Sequence, residues 1–214
     1  MRAVLLEKPF GATLAAAREL DGQAQQWGRP VLVNYFRAFT AFYRDLEEQL
    51  RAQRWGAVRA VTVHYRGTLA SHASHALERL IATFGAPDAV RRLSGENDAP
   101  LFEATFRGGA RALFVPLPRV NYSLFELDFF CERGRVRVVD SERRVETSVV
   151  RADPDYPGYS ALERAPADVP ELTFEMIGAV EAAVEAARQG QDTSGIRLRA
   201  VEVARALEGV ARPT

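Results

Sequence analysis

Lys8 and the histidines His64, His72 and His75 are the residues of this chain best suited to move a proton. Lys8 is the single lysine among 28 Lys+Arg positions, and arginine fills every other one. Arginine holds its proton at any working pH, whereas a lysine releases one once burial lowers its pKa. A titratable cation was therefore kept at this one place, in the turn Glu7-Lys8-Pro9. All three histidines fall between residues 64 and 75. His72 and His75 lie at i,i+3 near the start of a helix, facing away from its apolar stripe of Leu77, Leu80, Ile81 and Phe84. Together with Glu78 they could hold a metal, but the set lacks a convincing third ligand and the usual helical ligand spacing. The plainer reading is a pair of partly exposed histidines at a helix start.

The elements that must position these residues are legible from periodicity. Residues 2–6 form a short apolar run ended by Glu-Lys-Pro, as a buried strand reaching a turn would be. Thr13 reads as an N-cap, with Leu14, Ala17, Leu20, Ala24 and Trp27 at helical spacing and Gly28 just past the end. "PVLVNYF" is a second apolar strand, so residues 1–35 read as one βαβ unit of a parallel sheet. A helix follows, capped by Thr40, with Phe39, Tyr43, Leu46 and Leu50 inward and Arg44/Glu48 and Glu47/Arg51 paired on its wet side.

From residue 58 the period becomes two. Val61, Val63 and Tyr65 share a face, as do Phe102, Ala104 and Phe106, and Phe125, Leu127, Phe129 and Cys131. With "ALFVPL", "GRVRVVD" and "RVETSVV" these predict a large, mostly antiparallel sheet interrupted by the histidine-bearing helix. A proline-bearing loop, 153–170, precedes two closing helices. The first is expected to turn Leu172, Met176, Val180 and Val184 inward; the second, capped by Thr193 or Ser194, Ile196, Ala200, Val203 and Leu207. The fold class is α+β: an open sheet covered by helices on one face, preceded by a remnant βαβ unit. The expected domains are 1–35 and 36–214.

Composition limits the partners. Formal net charge is +0 and the pI about 6.9, so no overall field draws nucleic acid or anionic lipid, and neither is expected as a partner. No apolar run reaches membrane-spanning length. One cysteine, Cys131, excludes an internal disulfide and reads as a strand thiol in a reducing, cytoplasmic setting.

The succession "AVLLEKPF", helix, "VNYFRAF", helix, strand and "HALERLIATFG" resembles the glucose-fructose oxidoreductase/inositol dehydrogenase/MocA (Gfo/Idh/MocA) family, from residue 3 to about residue 210. The resemblance implies that Glu7, Lys8 and Pro9 form the turn beside the nicotinamide of NAD or NADP, often with a cis peptide before the proline. Lys8 would donate to the substrate hydroxyl and help carry off its proton. His75 would be the base, normally supported by an aspartate four residues earlier, where this chain has Ser71; the aspartate usual three residues later is Glu78. The substrate would be a hydroxyl or ketone of a sugar or cyclitol, touched by His72, Tyr65, Arg119 and Tyr122.

The family's Gly-rich dinucleotide turn has no counterpart, because no G-x-G-x-x-G occurs in the 214 residues. The expectation is therefore a truncated oxidoreductase that binds no cofactor alone and acts by association. It would form a homodimer or higher oligomer through the open sheet, with the Phe125/Leu127/Phe129 face covered by a partner. The alternative is an NAD(P)-dependent dehydrogenase whose nucleotide-binding half comes from a separate subunit or an omitted upstream segment.

Overall fold

The computed structural model describes residues 2–96, 98–165 and 176–211. At the amino end β1 (Val4–Leu6) and β2 (Val31–Val33) form a two-stranded parallel sheet joined by α1 (Leu14–Trp27). Thr13 caps α1 by accepting from Ala16 N at 3.1 Å, and Gly28 closes it in the left-handed conformation, φ 64°. A two-stranded sheet has little stability of its own. This one is held by α5 (Ser194–Ala211), which packs against α1 and β2. Thr193 Oγ1 accepts from Val31 N at 3.0 Å, and the buried pair Arg197–Asp21 joins α5 to α1 at 2.9 Å.

A 3-10 turn (Phe36–Phe39) and α2 (Ala41–Arg51) lead into the large sheet. Its strands are β3 (Val58–Tyr65), β4 (Pro87–Gly95), β5 (Pro100–Phe106), β6 (Arg111–Pro116), β7 (Phe125–Cys131), β8 (Gly134–Val139), β9 (Arg144–Ala152) and β10 (Ser160–Arg164). The spatial order is β10-β9-β8-β7-β3-β6-β5-β4, antiparallel throughout except for the β3–β6 pair. A short π-helical turn (Leu69–Ala73) runs into α3 (Ser74–Phe84), and α4 (Ile177–Gln189) precedes α5.

The inward strand residues share one core with α2, α3 and α5. Phe125, Leu127 and Phe129 belong to it, so the apolar face expected to meet a partner is covered by the chain's own helices. The uncovered face carries the alternate residues, organised as ion ladders: Arg91–Glu103–Arg111 on one side, and Arg135–Asp128–Arg137–Glu146 on the other. Cys131 is half-buried at the end of β7, and burial pushes its thiol up to about 11.

Three other expectations are corrected. Residues 160–164, placed in the loop of 153–170, are a strand at one edge of the large sheet, opposite β4. In α4 the buried residues are Ala179 and Ala186, while Met176, Val180 and Val184 are exposed; Leu172 lies outside the described residues. The reason is close approach: a Cβ on Gly178 would sit 3.0 Å from Phe39 O, so the small-residue side of the helix faces in. Glu47, assigned to the wet side of α2, is buried and paired with Arg79.

Candidate functional site

Polar groups gather where β1 and β2 end, the end at which parallel α/β layers place their ligand crevices. β1 leads directly into Glu7 and Lys8, and β2 into Asn34. Asn34 Nδ2 donates to Glu7 Oε1 at 2.6 Å, while Asn34 Oδ1 is buried without a partner among the described residues. The Lys8–Pro9 peptide is cis. Lys8 Nζ donates to Ala70 O at 3.1 Å and Ser71 O at 2.8 Å, which spans from the small sheet to the π-helical turn before α3.

That turn begins with a capping box: Ser71 N donates to Thr68 Oγ1 (3.2 Å) and Thr68 N to Ser71 Oγ (2.7 Å). Ser71 Oγ also lies 3.0 Å from His72 Nδ1. Gly67, φ 122°, makes room for this arrangement, because a Cβ there would stand 2.4 Å from His72 Nδ1. The serine found where the resemblance implies an aspartate is thus engaged by Thr68 and His72. His75 Nδ1 is buried with no partner among the described residues.

His75 does not lie on an exposed helix start. It is 5% exposed, its ring set edge-on to Tyr35 (centroids 5.4 Å) and to Phe36 (5.0 Å). Burial, reinforced by Arg37, Lys8, His72 and Arg79, lowers its pKa to about 2. His72 is lowered too, by burial first and then by Arg37, Lys8 and Arg66. Lys8 is lowered by burial, opposed by Glu7 and assisted by Arg37. Both imidazoles are therefore neutral at ordinary pH, beside an ammonium that gives up its proton more readily than a free lysine does.

Arg37 was not anticipated, yet it acts on all three of these groups. It is buried, stacked on Phe125 (3.8 Å to the centroid) and Phe36 (4.5 Å), and paired with Glu142. The available signal was a polar Asn34-Tyr35-Phe36-Arg37 run directly after a strand of a βαβ unit.

The remaining expected residues divide. Tyr65 is fully buried in the core, its hydroxyl unpartnered among the described residues and its phenol pushed up by burial. Arg119 and Tyr122 lie on the loop after β6, which Arg66 holds by donating to Val120 O at 3.0 Å. Arg119 pairs with Glu96 in solvent, and Tyr122 is 56% exposed. Glu78 is spent on Arg79 and Arg199, so the metal reading with His72 and His75 loses its acid. Among the described residues no cluster of His, Cys, Asp and Glu could hold a metal, and no helix is long and apolar enough to cross a membrane.

An apolar cavity of about 320 Å³ adjoins the cluster, walled by Pro9, Phe10, Tyr35, Leu69, Ala70 and Ala200. A larger one, about 680 Å³, lies at the opposite ends of β1 and β2 beside Arg2, Arg29 and Arg197; it holds none of the candidate residues. The groups present that could meet the nicotinamide end of a dinucleotide are those at the polar strand ends, Glu7, Lys8 and the unpartnered Asn34 Oδ1. The diphosphate does not fit: no G-x-G-x-x-G occurs in the sequence, and the start of α1 is closed by Thr13 and by Gly11 packed against Ala17 N.

The fold is one shared with dehydrogenases and ketoreductases. A UDP-N-acetylglucosamine 3-dehydrogenase from Acidithiobacillus ferrooxidans matches with TM-score 0.76 and 17% identity over 96% of this chain and 68% of that one. A dehydrogenase from Chromobacterium violaceum matches with TM-score 0.77 and 16% identity over 96% and 67%. A variant of a 3-ketoreductase from Actinomadura kijaniata, in complex with TDP-benzene and NADP, matches with TM-score 0.70 and 15% identity over 97% and 68%. The chain thus spans about two thirds of each neighbour. No protein-family model matches the sequence, and no curated protein does.

Proposed function

We propose that these residues form the substrate-binding and proton-handling part of a Gfo/Idh/MocA-type oxidoreductase acting on a hydroxyl or ketone of a sugar or cyclitol. The observation that carries this reading is the Lys8 ammonium, fixed on the Ala70 and Ser71 carbonyls beside two neutral imidazoles at the carboxyl ends of a parallel strand pair. Two of the three N–H bonds of Lys8 are spent on those carbonyls, and the third serves a substrate oxygen. Proton transfer falls to Lys8. His72, half-buried and hydrogen-bonded to Ser71, contacts the substrate, and His75 stands behind it without the carboxylate that would make it a strong base. Because the diphosphate cradle is missing from these residues, the 214-residue chain alone turns nothing over. A nucleotide-binding layer added along the edge of β1 that pairs with no described strand, from the same polypeptide or another, would complete the enzyme.

Calorimetry of the 214-residue chain with NADH and NADPH is expected to give dissociation constants weaker than about 1 mM. A panel of sugars, cyclitols and nucleotide-sugars, screened by ligand-observed NMR, is expected to contain a saturable binder that Lys8→Met weakens at least about tenfold. Micromolar nucleotide binding contradicts the silent state, and a panel without a Lys8-dependent binder contradicts the site.

A homodimer through the uncovered sheet face is the association this reading includes. Val150 and Leu162 pair across β9 and β10 and, with Phe130, stay exposed on that face. Sedimentation velocity is expected to show a dimer that Leu162→Glu, with Phe130→Glu, converts to monomer. A wild-type chain that stays monomeric at about 100 µM ends the idea.

A further inference from the structure

The turn between β8 and β9 is wound against the preference of its residues. Asp140 (φ 55°), Ser141 (φ 50°) and Glu142 (φ 73°) are three successive non-glycine residues in the left-handed region. Each is a conformation that L-residues adopt only under strain, and such runs persist only where the surroundings fix them. The surroundings do so here: Asp140 N donates to Glu126 Oε1 at 3.0 Å, Ser141 Oγ to Ser123 O at 2.7 Å, and Asp140 pairs with Arg144 at 3.0 Å. The winding drives the Glu142 side chain inward, to 3% exposure. There its two oxygens accept from Arg37 Nε and Nη2, both at 2.5 Å, and from Tyr43 Oη at 2.5 Å. A carboxylate from a rim turn of the large sheet thus meets the guanidinium that follows β2, 105 residues earlier.

We propose that Glu142 is a positioning residue: the left-handed turn delivers its carboxylate to fix Arg37 against Phe36 and Phe125, beside the Lys8–His72–His75 cluster. A bidentate fork is the arrangement that fixes a guanidinium's plane as well as its charge. Phe36 carries that placement onward, since it touches Arg37 on one side and the His75 ring on the other. Glu142 also balances a cation that the cluster would otherwise meet at full strength. The charged groups acting on His72 are Arg37, Lys8 and Arg66, all cations, with Ser71 Oγ at its Nδ1. No acid among them offsets Arg37; its buried carboxylate partner among the described residues is Glu142.

This inference rests on reading the Lys8–His72 region as the active pocket, but its test needs neither substrate nor nucleotide. The chain has three histidines, so each imidazole can be followed by NMR through a pH titration. Glu142→Gln keeps the shape and removes the charge; the His72 midpoint is expected to fall by about 0.5 pH unit or more as Arg37 loses its counter-ion. In an Arg37→Met background a carboxylate buried without its cation is not kept charged, so the same Glu142→Gln change is expected to leave the His72 midpoint where Arg37→Met alone puts it. If the single variant fails to fold, the double variant still reads: with neither charge present, the His72 midpoint rises above the wild-type value. An unmoved His72 midpoint in folded Glu142→Gln, an equal fall in both backgrounds, or no rise in the double variant overturns the proposal. Failure of nucleotide or sugar binding would bear on the function and leave this result standing.

Discussion

Glu78→Ala is expected to cost about 3–5 kcal/mol of folding stability, the largest effect of any single carboxylate removed from this chain. Glu78 is 1% exposed, and its carboxylate is shared by two guanidinium groups. Oε2 accepts from Arg79 Nε at 2.6 Å and Oε1 from Arg199 Nε at 2.8 Å, while Arg79 turns its Nη1 to Glu47. The network ties α2, α3 and α5 together beneath the candidate site. Alanine leaves Arg79, 4% exposed at its side chain, with one buried charge partner instead of two. It also opens a cavity where the carboxylate stood. Arg199, 29% exposed, turns toward water and bears less of the loss. Glu78→Gln keeps the shape and one acceptor, so its expected cost is smaller, about 1–3 kcal/mol. Urea unfolding of the three proteins decides the matter, and a loss below about 1 kcal/mol for the alanine variant would show that the network carries no stability.

Acid is expected to unfold this protein through His75. Folded, the imidazole takes a proton only near pH 2, whereas unfolded it takes one near 6.5. Between those values the unfolded chain holds the extra proton, so stability is complete above about pH 6.5 and falls as pH drops toward 2. Each pH unit inside the window costs about 1.4 kcal/mol, and the interval from pH 7 to pH 5 costs about 2 kcal/mol. His72, also lowered, adds a loss of the same sign. His75→Phe places an apolar ring between Tyr35 and Phe36 and removes the proton acceptor. Its denaturation midpoints at pH 7 and pH 5 are expected to differ far less than those of the wild type, by what His72 loses and what Glu47, raised by burial, gives back as pH falls. A wild-type protein equally stable at both values would mean that His75 is free to ionise in the folded state.

Much of the architecture is legible in the sequence because burial here is one-sided. Val61, Val63 and Phe102, Ala104, Phe106 alternate cleanly, and they are core residues of β3 and β5, on the two sides of β6. The same alternation already placed Tyr65 beside Val61 and Val63, which is why it lies in the core and not against a ligand. The edge strands β4 and β10 are hard to read because "PDAVRRLSG" and "SALER" are mostly exposed and keep no two-residue period. In α4 periodicity finds the bulky stripe, but close packing against Phe39 selects the small side. Within the site, Lys8 and the paired histidines stand out because lysine and histidine are rare in this chain. Arg37 and Glu142 do not, since one arginine and one glutamate look like any other until the fold brings them together.

The amino-terminal unit is completed by the far end of the chain. Val31 N finds its acceptor in Thr193, and Asp21 its partner in Arg197, 176 residues later in the sequence. During synthesis the first strand pair and its helix therefore emerge long before the helix that stabilises them, while the antiparallel strands between can already pair with neighbours close in sequence. The part of the molecule that carries Lys8 is made before the large sheet and becomes firm after it, and a ribosome-stalled chain ending before residue 193 would display the large sheet with the Glu7-Lys8-Pro9 turn still unformed.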